Sequence, residues 1–532
     1  MTPDHRPFSL RPRRQDGFTL IELLVVIVIL GVLAAIVVFS VRGIGDKGRK
    51  NAVAADAAAL RTAEESYCAQ HGRYGTIDEL KAAGLLTGEP VYNMVAVGAE
   101  DKCGRGENSS YTLYDTAPLV RAPDPVQVGA KPSDLAVDEK ADRVYVVAAD
   151  SNDVTVIDGK TDTPVGAPIS LSGTTVAKAA RIAVHPGTGR VYVGGEGGVA
   201  VIDTANGNTV TQVSGFSTTV SALAVSPENG DVYVGGGPVE ASVVAYIPAG
   251  TASATTIPLP APGIASAAGL DFTFDPARHE VYLAKAGVGS GTTLAAGIGL
   301  FAISSQTHEA RVVWWSPTKP ACSNNAGNVL IAGSVRGAAA VDPNRHLVYL
   351  LAQKCVPDTT KPGAWKAVAT TIAVDPANNT ATPIDDPVGT LFTPVAAVYN
   401  PAAGSVYVYA RGGQGTNCGG SGARIGRIVG TAPKQQGSVC AVSNSAGNAA
   451  HKVAVLRNLS RVFVAQLMTS DATGRVFAPG GLGVADGTTL LPQPTLGAPV
   501  HFGALAVNNT TAKVYALDPA SGKLTVFRTG SA

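Results

Sequence analysis

Hydrophobic and polar positions follow three different patterns along this chain. From Phe18 to Phe39 the residues are apolar almost without break, "FTLIELLVVIVILGVLAAIVVF", and Glu22 is the sole ionisable side chain among them. A run of that length crosses a bilayer as a helix rising ~1.5 Å per residue. From Asn51 to Gln70, "NAVAADAAALRTAEESYCAQ" is alanine-rich and favours helix. Beyond residue 130 the pattern changes to short runs in which apolar and polar residues alternate, with Pro, Gly and Asn between them. This predicts turn-dense β-structure to the end of the chain.

The β region repeats itself. Its copies read "DLAVDEKADRVYVV", "RIAVHPGTGRVYVG", "ALAVSPENGDVYVG", "DFTFDPARHEVYLA", "AAAVDPNRHLVYLL", "AAVYNPAAGSVYVY", "VAVLRNLSRVFVAQ" and "ALAVNNTTAKVYAL". The aromatic recurs at Tyr145, Tyr192, Tyr233, Tyr282, Tyr349, Tyr407, Phe463 and Tyr515, at spacings from 41 (Tyr192 to Tyr233) to 67 (Tyr282 to Tyr349). A repeat in this range implies a propeller or solenoid. Each unit reads as a four-stranded antiparallel sheet, best seen in "DLAVD", "RVYVV", "DVTVID" and "PVGAPISL". The pattern resembles YVTN-type β-propellers over about three quarters of the chain. The last copy ends after three strands at "KLTVFRT", so "DPVQVGAKP", ahead of the first copy, is expected to supply the fourth and close the ring. Eight copies imply eight blades, with seven as the alternative.

Composition narrows the function. Across 532 residues Lys and Arg number 41 against 40 Asp and Glu, leaving no basic surplus to support nucleic-acid binding. The six cysteines, Cys68, Cys103, Cys322, Cys355, Cys418 and Cys440, form three neighbouring pairs without C-x-x-C spacing, which argues against zinc. In an exported chain an even count favours disulfides, 68–103, 322–355 and 418–440 being the simplest pairing, with buried thiols as the other reading.

Glu22 is the point of greatest tension, because a carboxylate at a helix centre in hydrocarbon costs ~2.5–3.5 kcal/mol. Arg6, Arg11, Arg13 and Arg14 precede the apolar run and are expected on the cytoplasmic side. A signal peptide would end in a small-x-small site, whereas here the chain continues into helix-favouring sequence. "GFTLIELLVVIVILGVLAAIVV" resembles the start of type IV pilins and secretion pseudopilins. The resemblance implies cleavage after Gly17 by a prepilin peptidase and N-methylation of Phe18. It also implies that Glu22 pairs with the Phe18 amine of a neighbouring subunit during filament assembly, a partner that offsets the cost of the buried acid. Position 39, proline in many members of the family, is Phe39 here.

Four segments are therefore expected: a leader (1–17), an assembly and transmembrane helix (18–70), a small α+β pilin head (71–120) and an all-β propeller (121–532). In the head, "YGTIDELKAAGLLTGEP" predicts a short helix and "YNMVAV" and "SSYTLYD" two strands. The resemblance also raises a calcium loop, for which Asp101 and Glu107 are the candidates and a solvated loop the plainer account.

Candidate chemistry is sparse. No H-E-x-x-H, G-x-S-x-G, P-loop or dinucleotide fingerprint occurs, so neither enzyme activity nor a cofactor is expected. His185, His279 and His346 occupy the same inter-strand turn of different copies and read as turn fillers. Asp138, Asp275, Asp342 and Asp375 read as turn caps. Trp314 and Trp315 are candidates for a binding platform, one of them expected to face the core. A ~400-residue ring has a radius of gyration near ~21 Å, whereas helices pack ~8–10 Å apart. The expectation is thus a minor or tip subunit presenting a propeller for adhesion or recognition, inserted in the bacterial cytoplasmic membrane before assembly and extracellular afterwards. The alternatives are a major subunit coated by propellers, a secretion pseudopilin, or a filament-anchored enzyme.

Overall fold

The computed structural model describes residues 55–75, 77–87, 93–97, 111–115, 119–122, 124–237, 243–260, 271–286, 297–319, 330–331, 339–358, 361–385, 393–411, 423–437, 453–457, 461–466, 481–486, 492–496 and 502–529. The apolar segment, with Gly17, Phe18 and Glu22, lies outside the described residues, as do Asp101 and Glu107. Among the described residues no helix is long and apolar enough to cross a membrane.

Helix α1, residues 55–71, buries Ala57, Leu60, Ala63, Glu64, Tyr67 and Cys68. Their three- and four-residue spacing makes one stripe of the helix surface. Helix α2, Ile77–Ala82, lays Leu80 into that stripe beside Leu60, Ala63 and Tyr67, with Leu85 and Leu86 against it. Gly84, at φ 70°, ends α2 in the left-handed region that glycine tolerates, and Leu85 N–H donates to Leu80 O at 2.9 Å. Strands Asn93–Val97 and Tyr111–Asp115 then pair antiparallel, as the sequence predicts.

Beyond Leu119 the described chain is almost entirely β. In the first copy Pro132–Asp138, Arg143–Ala148 and Asp153–Asp158 run antiparallel, and two short pieces, Thr163–Pro164 and Ile169–Ser170, fill the outer position. The second, third, sixth and seventh copies are each four strands in sequence order. The fourth and fifth are joined into one nine-stranded sheet through Thr318 opposite Leu330 and Leu330 opposite Lys354.

The recurring V-Y-V run is a second strand buried on both faces, which accounts for an apolar stretch without alternation. All eight repeated aromatics are buried to within 2% exposure. Each lies in the core that its copy shares with the next: Tyr145 with Val193, Tyr192 with Val234, Tyr233 with Leu283, Tyr282 with Leu350, Tyr349 with Val408, Tyr407 with Val462, and Phe463 with Val514. Tyr515 of the last copy returns to Val144 of the first. The first strands pack in the same circular order, Ala504–Asn508 against Pro132–Asp138 closing it. Gly194 leaves room for this packing, since a Cβ there would stand 2.6 Å from Val220 Cγ1 of the next copy.

The closing strand begins earlier than expected. Leu119–Arg121, across the expected boundary between head (71–120) and propeller (121–532), pairs with Thr529–Phe527, and Val126–Gln127 continues along Leu524–Lys523. Pro123 and Pro125 lie between the two pieces, and a residue without an N–H interrupts a ladder.

Candidate functional site

The ring has two chemically distinct ends. At one, here termed the turn end, short connections join first to second strands (138–143, 185–190, 508–513) and third to fourth strands (158–163, 203–209, 304–310). At the other, the far end, the connections run 286–297, 319–339, 411–423, 437–453 and 466–481. Three of these carry Cys322, Cys418 and Cys440, and Cys355 sits toward the far end of strand Leu347–Pro357. Cys68 and Cys355 are both buried.

The turn end is built from the fifth residue of the repeat, polar in every copy: Asp138, His185, Ser226, Asp275, Asp342, Asn400, Arg457 and Asn508. Asp138 Oδ1 accepts from the N–H groups of Lys140 and Ala141, capping its own turn, and Oδ2 accepts from Gly187 N–H of the next copy at 2.8 Å. Asp342 caps with Oδ1 on Asn344 and Arg345, and Asp375 with Oδ1 on Ala377 and Asn378. Asp275 departs from the expected cap: its carboxylate turns to His346 Nδ1 of the next copy at 2.7 Å, and its turn is closed by His279 N–H donating to Pro276 O.

The histidines likewise reach across copies rather than merely filling turns. His279 pairs with Glu228, whose other oxygen accepts from Ser305 Oγ at 2.7 Å. His308 Nε2 meets Asp231 Oδ2 at 3.0 Å while its ring stacks on Tyr246 at 3.5 Å. His185 Nε2 lies where a Cβ on Gly230, at φ 79°, would stand 2.0 Å away. Burial pushes the Glu228 carboxyl up, but the Ser305 and His279 hydrogen bonds outweigh it and hold it below its ordinary range. Asp158 is held at about 2 by Arg143 and by the N–H groups of Thr161 and Lys160. Burial raises the hydroxyl pKa of Tyr145, Tyr192 and Tyr515.

These groups do not form a catalytic relay. Glu228 stands between Ser305 and His279, so the imidazole does not reach the hydroxyl it would have to activate. Among the described residues no three His, Cys, Asp or Glu side chains could hold a metal ion. Trp314 and Trp315 are both half-buried. Trp314 packs on the core between the fourth and fifth copies, as expected of one of the pair, while the Trp315 ring lies over Gly299, whose Cβ would stand 2.4 Å from Cε3.

In the head, Glu64 is fully buried and its Oε2 accepts from Gly75 N–H at 2.9 Å. Arg73 pairs with Glu79 and lies 5.5 Å from the Tyr67 ring centre, while His71 stacks on that ring's plane at 4.1 Å. The sequence reading missed Glu64 and the cross-copy bonds. A polar residue at the fifth repeat position in every copy was the available signal for the latter.

Residues 12–38 match the prokaryotic N-terminal methylation motif. The N-terminal part of the chain is also similar to type II secretion system core protein G. Identity is 41% over 70 residues with the Klebsiella michiganensis protein (13% of this chain, 49% of that one) and 42% over 78 residues with the Dickeya chrysanthemi protein (15% and 50%). The chain thus spans about half the length of the curated relatives it matches. Solved structures similar to it include Kuenenia stuttgartiensis hydrazine synthase (TM-score 0.43, 11% identity, 76% of this chain and 96% of that one). A β-propeller domain from Myceliophteria thermophila gives a TM-score of 0.42 at 9% identity, over 78% of this chain and all of that one. The ring rests on its own strand pairing and shared cores, not on these likenesses.

Proposed function

We propose that this protein is a pilin-like filament subunit that presents an eight-bladed β-propeller at the cell surface for adhesion or recognition. The observation that carries the reading is the methylation motif at residues 12–38 standing ahead of a repeat region whose eight aromatics join neighbouring copies in circular order. Cleavage after Gly17 would free the Phe18 amine, and Glu22, four residues on along the same helix face, would pair with that amine in a neighbouring subunit. Prepilin peptidase, other pilin subunits and the membrane assembly machinery are the implied partners.

Topology supports presentation of the far end. Leu119 pairs with Thr529, the final residue of a third strand, and third strands finish at the turn end. Three residues separate Leu119 from the head strand Tyr111–Asp115, so the filament tether enters at the turn end. The far end, with the long connections and their cysteines, points away from it. The proposed bridges 322–355 and 418–440 would staple those connections, and 68–103 would tie α1 to the head.

Mass spectrometry of the mature chain and of sheared filaments tests this. A chain beginning at N-methylated Phe18 and recovered with the filaments is the expected result. An unprocessed chain beginning at Met1 contradicts it. The similarity to secretion core protein G favours a second reading, a secretion pseudopilin carrying an added ring. A processed chain confined to the envelope fraction, with protein secretion lost on deletion, would select that reading.

A further inference from the structure

The segment that tethers the ring is also the segment that closes it. Leu119, Val120 and Arg121 stand opposite Thr529, Arg528 and Phe527. Ala122 N–H donates to Val526 O at 2.8 Å, and Val128 N–H and Gln127 Nε2 both donate to Gly522 O, at 2.9 and 2.8 Å. Ala122, Val126 and Val128 are buried in one core with Leu135, Val144 and Ile157 of the first copy and Tyr515, Leu524 and Val526 of the last. This strand is therefore not an appendage laid on a finished ring; it fills the core between the ring's two chain ends.

That junction is also tied by side chains at the turn end. Lys513 Nζ of the last copy donates to Asp162 Oδ1 of the first at 2.7 Å, both side chains being 10% exposed. Asn508 Nδ2 donates to Asp142 Oδ1 at 2.9 Å, and Asn509 donates through both N–H and Nδ2 to Glu139 Oε1. A buried charge that loses its partner is costly, so these contacts resist separation of the two copies.

We infer that residues 119–128 form a clasp that carries tension, drawn along its own axis when the filament pulls one way and a partner at the far end pulls the other. The inference rests on the reading that a filament presents the ring. The strand runs from the turn end, where the tether enters, to the far end. A pull between those two points loads the ladder bonds together, in shear. A pull between the tether and another point at the turn end crosses the strand and opens the same bonds one after another, beginning at Leu119 and Thr529. Each backbone bond contributes only ~0.5–1.5 kcal/mol net, so whether they act together or singly decides the strength.

Single-molecule pulling on the full mature chain in detergent micelles tests this. One handle is fixed at the mature N-terminus, and the second on the last copy, with which the clasp is paired, at exposed Ala520 at its far end or exposed Thr510 at its turn end. The expected result is a rupture force severalfold higher with the Ala520 handle. Val120→Pro, which removes a ladder donor opposite Arg528, is expected to lower the force in the Ala520 geometry more than in the other. Equal forces in the two geometries would overturn the clasp. So would an equal loss in both with Val120→Pro, or a first rupture within the ring whose released length excludes residues 119–128. Absence of the chain from sheared filaments would refute the presentation reading while leaving the force ratio to be read independently.

Discussion

The two ends of the ring are made from the same strands and yet follow different rules. At the turn end the connections are short and their polar side chains reach into the adjacent copy, as in Asp138 to Gly187, His346 to Asp275 and Asn508 to Asp142. At the far end the connections vary from Gly195–Gly198, almost no loop, to the span between Lys319 and Ala339. Buried polar contacts fix position only when every partner is placed, so the turn end tolerates little variation. The far end is free to vary, and variable connections held on a rigid scaffold are where recognition is commonly built. In this molecule the repeated geometry of the ring and the diversity of its surface thus fall at opposite ends of each strand.

The largest expected effect falls on the shared cores. Tyr192→Ala, which empties a site between the second and third copies, should cost about 3–5 kcal/mol in urea denaturation. Tyr192→Phe should be near neutral, because the Tyr192 hydroxyl has no hydrogen-bond partner. Tyr349→Phe should cost about 1 kcal/mol, because that hydroxyl donates to Gly430 O at 2.7 Å. Equal costs for the two Phe variants would break the distinction drawn between them.

Next comes the junction of the last and first copies at the turn end. Lys513→Met leaves Asp162 buried beside the more distant Arg528, and should cost about 3 kcal/mol. A four-residue Gly/Ser insertion after Ser151, at the far end, should cost less than about 0.5 kcal/mol. If the insertion proves the more damaging of the two, the contrast between the ends is wrong.

The smallest effect is electrostatic and has a definite sign. The Asp158 carboxyl is depressed from its ordinary 3.8 to about 2, so its contribution is present above roughly pH 4 and lost as pH falls toward 2. Arg143→Gln removes the leading cause. The variant should therefore lose less stability than the parent between pH 5 and pH 2.5, measured by chemical denaturation at each pH. An unchanged acid dependence would sharpen attention on the backbone donors Thr161 and Lys160 instead.

Much of the ring was legible because its signal is local. The V-Y-V strands announce themselves by burial on both faces, and the aspartates of Asp138 and Asp342 sit where turn chemistry demands them. Outer strands were harder to read: Thr163–Pro164 and Thr255–Thr256 are short and exposed, with no apolar alternation to mark them. The early start of the closing strand at Leu119 was hidden because "DTAPLVRAPDPV" has the prolines of a linker, and its pairing partner is the far terminus of the chain. The turn-end bonds were hidden for a related reason. Asp275 looks like Asp138 in sequence, yet its carboxylate meets His346 of the adjacent copy. In the N-terminal region Gly17, Phe18 and Glu22 are singled out by the resemblance to type IV pilins and pseudopilins, whereas Glu64 is one acid among several in a helix and carries no such mark.

The proposed role, a surface-filament subunit that carries its ring outward, is open to a direct test. Immunogold electron microscopy of sheared filaments, using antibody against residues 130–532, tests it most directly. The account predicts label on filaments, at the tips or at sparse points along the shaft. Filaments without label, in cells that produce the processed chain, would contradict it.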